Sequence, residues 1–190
     1  KIPAEHQSIF IKAFKELQLT NEISSWRGQG HLNKGLNALK SQDVITAEKA
    51  FKSSIDVEPY FDAGYINLAD LYRALRQPEL VRSTLLNGMQ KIPKSGVIKY
   101  SYGLYLLRQK LLAEAITFLE KAISLSPNES QYAYTFVLAM DGIGQSQKAL
   151  EQLKRLIFNY SDNEKLRELG LYLAQKQKNQ TDSEWFKNLK

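Results

Sequence analysis

The residues able to do chemistry are few. The chain of 190 residues has two histidines, His6 and His31, and no cysteine. Without cysteine there is no disulfide, no thiolate nucleophile and no sulfur-ligated metal site, and either redox compartment is permitted. The histidines fall on different elements with no acidic cluster beside them, so a zinc ligand set is not assembled. Glycines stand at 28, 30 and 35 in GQGHLNKG. No strand precedes them, and the third is misplaced for a dinucleotide fingerprint. Neither a phosphate loop nor a nucleophile elbow occurs. Asp62, Asp70 and Asp141 are the carboxylates nearest to a general acid or base. They lie near helix starts or on the inner faces of first helices, where capping or ligand hydrogen bonding accounts for them. NES at 128–130 and NQT at 179–181 match the glycosylation sequon. The expectation is a protein that is not an enzyme and takes no metal and no cofactor.

The totals bound the class of molecule. With 43% hydrophobic and 24% charged residues the chain can bury a core. No apolar run approaches the roughly 20 residues that span a bilayer. The chain begins at Lys1 without a methionine or a signal-peptide pattern, which reads as a processed piece of a longer chain. The net charge of +6 is spread as +1 over 1–61, +3 over 62–129 and +2 over 130–190. A nucleic-acid binder gathers its lysines and arginines on one stripe, and no such block stands out.

What positions these residues is a helical period. Ala47 to Pro59, AEKAFKSSIDVEP, is an amphipathic helix stopped by proline. Equivalent segments close at Pro93 and Pro127, each 34 residues further on. With 28–61, 62–95, 96–129 and 130–163 aligned, the eighth position reads Gly35, Ala69, Gly103, Val137. The twentieth reads Ala47, Val81, Ala115, Ala149, and the twenty-fourth Phe51, Leu85, Leu119, Leu153. The thirty-second reads Pro59, Pro93, Pro127, Ser161. Small residues recur where two helices must touch, and bulky ones where the gap must be filled. Each window therefore predicts a helix, a turn and a second antiparallel helix, and such pairs must stack to bury both faces.

This pattern resembles the tetratricopeptide repeat, a 34-residue helix–turn–helix unit, over 28–163 as four units. The departures are Val81 and Val137 at the small positions and Ser161 at the last proline. The resemblance implies an all-α, right-handed α-solenoid. Residues 164–178 read as a further, capping helix with Leu166, Leu169 and Leu173 on one side. The tail from Thr181 has a cap expected at Asp182 or Ser183. Its Trp185–Phe186–Leu189 cluster either folds back on that helix or contacts a neighbouring chain as a weak homodimer. Residues 1–27 hold a helix with Ile9, Phe10, Ala13, Phe14 and Leu17 on one stripe, packed on the first repeat or lying in its groove. Trp26 is expected as a core or cap residue.

By the same resemblance the first helices line a concave groove. The residues expected to bind peptide there are Leu32, Leu36, Ile66, Asn67, Asp70, Arg73, Tyr100, Leu104, Tyr134 and Leu138. Repeats that grip acidic chaperone tails use lysine, asparagine and arginine at positions that here are Leu32, Leu36, Asn67, Val97 and Ser101. Only Asn67 agrees, so that clamp is absent. The groove is apolar and aromatic and suits an amphipathic helix or an extended apolar peptide.

Three classes of function follow from this reading. The leading one is a non-catalytic protein–protein interaction scaffold, with a protein or peptide as partner. The second is an assembly module of a larger protein. FDAGYINLADLYRAL, QYAYTFVLAMDGIGQ and KIPAEHQSIFIKAFKEL are similar to the repeat regions attached to bacterial multi-haem c-type cytochromes. That likeness implies a periplasmic location, and no haem ligand is carried over to any residue. The third class, a nucleic-acid-binding solenoid, requires basic concave positions. Apart from Lys40, Arg73, Arg108, Lys165 and Lys176 these are mostly uncharged.

Overall fold

The computed structural model describes residues 12, 15, 16, 26–160 and 163–189, and among these there is no strand. The expected apolar stripe of Ile9, Phe10, Ala13, Phe14 and Leu17, and the question whether it fills the groove, lie outside the described residues. Helix α1 is described over 26–40. It is followed by α2 (Val44–Val57), α3 (Asp62–Ala74), α4 (Pro78–Lys91), α5 (Gly96–Arg108) and α6 (Leu112–Leu125). Then come α7 (Ser130–Gly142), α8 (Ser146–Leu156), α9 (Glu164–Lys176) and α10 (Gln180–Asn188). The chain divides into two compact units, Lys1–Lys91 and Ile92–Lys190. In the first, α2 packs on α3 and α3 on α4. In the second, each helix from α5 to α10 packs on its successor, and α7 also meets α9.

The helices stop where the sequence says. α2, α4 and α6 each end two residues before Pro59, Pro93 and Pro127. Proline cannot donate to a further turn and pushes its predecessor out of helical geometry. The proline carbonyls then find donors six residues on: Tyr65 Oη donates to Pro59 O at 3.0 Å, and Lys99 Nζ donates to Pro93 O. At the third proline that position is Ala133, and Tyr160 Oη donates to Pro127 O instead. Where Ser161 replaces proline, α8 runs into a 3₁₀ turn, Ile157–Tyr160.

The turn inside each pair repeats more strictly than the prolines do. Gln42, Arg76, Lys110, Gly144 and Lys178, spaced 34 apart, all have φ between 55° and 78°. The residue after each donates its N–H to the carbonyl five back, as in Asp43 to Ala38, Leu111 to Leu106 and Asn179 to Ala174. This is a Schellman closure, which satisfies carbonyls orphaned at a helix end. Only Gly144 adopts the left-handed conformation without steric penalty.

Within a pair the eighth and twenty-fourth positions meet. A Cβ added to Gly103 would stand 2.9 Å from Leu119, and one added to Gly35 would collide with the Phe51 ring. Ala47, Ala115 and Ala149 are fully buried beside these contacts, and the larger Val81 and Val137 are buried as well.

α9 and α10 form a fifth hairpin of the same build, in which a Cβ on Gly170 would strike the Phe186 ring. Phe186 is buried, and Trp185 stands edge-on to it with ring centroids 4.7 Å apart. The cap of α10 is Asn179, not Asp182 or Ser183. Its Oδ1 accepts from Asp182 N at 3.0 Å, and its amide holds the Asp182 carboxylate at 2.8 Å. Trp26 is 76% exposed in α1 and joins no core, because its helix turns that position outward.

Candidate peptide-binding cleft

The second unit opens a cleft of about 1200 Å³ whose walls are α5, α7 and α9. α5 contributes Tyr100 and Leu104, and α7 contributes Gln131, Tyr134, Thr135 and Leu138. From α9 come Lys165, Glu168, Leu169 and Tyr172, while Ser130, Asn163 and Glu164 close one end. Residues three and four apart on one helix share a face, so each helix offers a short ladder of side chains to the same space.

The floor is fixed by packing and hydrogen bonds. Tyr100 stacks on Tyr132 with ring centroids 4.2 Å apart, and its hydroxyl lies 3.1 Å from Thr135 Oγ1. Thr135 Oγ1 also donates to Gln131 O at 2.9 Å. Asn163 caps α9 through Leu166 N and donates to Ser130 Oγ at 2.8 Å, joining the starts of α7 and α9. Above this floor Leu138 is 39% and Tyr172 49% exposed, and Leu104 and Tyr134 are half-buried.

One turn beyond Leu138 and Tyr172 a clasp joins α7 to α9. Lys176 Nζ lies 2.7 and 2.9 Å from the two Asp141 oxygens, and Ser146 Oγ also donates to Asp141. Burial alone raises a carboxyl pKa, but the bonds from Lys176 and Ser146 outweigh it and leave Asp141 below its ordinary value. The same bond holds the Lys176 ammonium above its usual range. Lys176 Nζ also sits 5.7 Å from the centre of the Tyr172 ring.

The residues expected from the sequence divide between the two units. Tyr100, Leu104, Tyr134 and Leu138 come together in the cleft. Tyr100 presents little of itself there, being 7% exposed beneath its stack. In the first unit Leu32 is 5% exposed and belongs to the core, whereas Leu36 lies at the surface. Ile66 and Asn67 are half-buried. The Asn67 amide donates to Ala63 O at 2.8 Å, which spends one of its donors on its own helix. Asp70 and Arg73 pair with each other at 3.1 Å. The wall supplied by α9 was not among the expected residues. Its signal was the continuation of the groove positions into Lys165, Glu168, Leu169 and Tyr172. Among the described residues no group of three His, Asp or Glu side chains is placed to hold a metal ion, and no helix is long and apolar enough to cross a membrane.

The comparisons agree with the fold. The family described as Tetratricopeptide repeat matches residues 98–129, the α5–α6 pair. No curated protein matches the chain by sequence. Among solved structures, PilF of Pseudomonas aeruginosa aligns with a TM-score of 0.72 at 16% identity, over 87% of this chain and 76% of that one. YrrB, described as a TPR protein with an unusual peptide-binding site, aligns with a TM-score of 0.61 at 12% identity, over 82% and 80% of the two chains. The first TPR domain of Spaghetti (RPAP3), bound to the HSP90 peptide SRMEEVD, aligns with a TM-score of 0.57 at 18% identity, over 63% and 98%. A period read from prolines and closed by five equally spaced turns thus carries a match to the tetratricopeptide repeat over residues 98–129, in a fold similar to that of solved tetratricopeptide-repeat proteins.

Proposed function

We propose that the chain is a non-catalytic interaction module that seats an apolar peptide segment of a partner protein in the α5–α7–α9 cleft. The observation that carries this is the open wall formed by Leu104, Tyr134, Leu138 and Tyr172 above a hydrogen-bonded floor. Tyrosines and leucines on rigid helices give contact area at small conformational cost. Each leucine- or phenylalanine-sized anchor buried contributes about 1.5–3 kcal/mol before ordering costs. Peptide binding by YrrB and by the Spaghetti domain supports the reading by analogy of fold. Capture of acidic chaperone tails is not part of it, since Val97 and Ser101 stand where that clamp needs cations.

The test is selection from a displayed peptide library followed by calorimetry. Tyr134→Ala and Leu138→Asp are expected to abolish binding of the selected peptides with the circular-dichroism spectrum unchanged. Phe158→Ala, at an exposed residue outside the cleft, is expected to leave it intact. Equal binding by all three variants contradicts the proposal.

A further inference from the structure

We infer that the cleft selects an apolar segment that carries an arginine, with Glu168 and the Tyr172 ring as the arginine's seat. This rests on the reading of the cleft as a peptide groove and names the chemistry of its occupant. The whole chain carries +6, yet the cleft lining holds two carboxylates, Glu164 and Glu168, against one cation, Lys165. The cleft wall is therefore net negative on a positive protein, so a basic segment is drawn to this wall and an acidic one is not.

One turn beyond Leu138 and Tyr172 of the cleft, Asp141 and Lys176 neutralise each other. Among the described residues Glu164, Lys165 and Glu168 take part in none of the four ion pairs. Glu164 lies in the first turn of α9, where the helix dipole already accounts for a carboxylate. Glu168 has no such role. It stands one turn before Tyr172 on the same helix, so a carboxylate and an aromatic face are presented side by side. That ring already takes a cation: Lys176 Nζ lies 5.7 Å from its centre. A guanidinium stacks flat on such a ring and forks onto a carboxylate, which an ammonium does less well, so arginine is preferred to lysine.

Fluorescence anisotropy on the full chain tests this with three labelled, end-blocked peptides. Each has leucines at helical spacing and one variable flanking residue: arginine, glutamine or glutamate. The wild type is expected to bind the arginine peptide about fivefold more tightly than the glutamine one, the sum of an exposed ion pair and a cation–π contact. Glu168→Gln is expected to cut that difference to about twofold, the share of the ring, and Glu168→Lys to favour the glutamate peptide. Equal affinities for the three peptides overturn the arginine inference and leave the groove standing. Failure of all three to bind, or binding untouched by Leu138→Asp, overturns the groove and the inference with it.

Discussion

At the scale of single residues the protein depends on absent side chains as much as on present ones. Gly170→Ala places a methyl group inside the Phe186 ring. The expected loss is about 1–3 kcal/mol by overpacking, read as a fall in melting temperature. Phe186→Ala removes the filler instead and is expected to lose about 3–5 kcal/mol. Asp141 adds a dependence on pH. Its carboxyl titrates below the ordinary 3.8 in the fold, held there by Lys176 and Ser146 against the effect of burial. A depressed acid contributes stability that is present above its unfolded value and vanishes as pH falls through the folded one. Melting curves of wild type and Asp141→Asn are therefore expected to differ at neutral pH and to converge as the pH falls below the ordinary carboxylate range. A gap that stays constant with pH contradicts the assignment.

At the scale of elements the sequence disclosed most of the fold, and its failures have physical causes. Three helix ends were legible because proline is an unambiguous terminator. The last pair was legible as a helix with a tail folded back on it, but not as a repeat, because its small and bulky pair, Gly170 and Phe186, lies one residue ahead of the 34-residue grid. The turn at Lys178 stays on the grid, but a left-handed lysine carries no mark in the sequence. With α9 read as a cap, the third wall of the cleft was lost from the expected site. Tyr100 was expected to face the groove more openly because spacing alone does not show that Tyr132 lies against it. The strained turns give a prediction of their own. Lys110 at φ 62° is exposed, and Lys110→Gly relieves its left-handed conformation. After the entropy glycine adds to the unfolded chain, a net gain of about 0.5–1 kcal/mol is expected in urea unfolding. A loss of stability there would mean that the lysine side chain makes a contact that outweighs the strain.

At the scale of the molecule, stability in a repeat array is a sum of local pairs and their neighbours. Gly170→Ala is thus expected to speed amide exchange in α9 and α10 far more than in α2 and α3. Uniform acceleration along the chain would instead indicate one cooperative block. The same modularity explains how function is distributed. In the first unit the two ion pairs among the described residues, Asp70 with Arg73 and Glu48 with Lys52, are each made within one helix. The second unit leaves a walled cleft with an unpaired carboxylate and open rings.

The most direct measurement of that claim is a nuclear magnetic resonance titration of the chain, labelled at tyrosine rings and leucine methyls, with the leucine–arginine peptide. Shifts are expected at Leu104, Tyr134, Leu138 and Tyr172, with the exposed Tyr60 unmoved. Shifts gathered at Tyr60 or at the leucines outside the cleft, with Tyr134 and Tyr172 silent, would contradict the account.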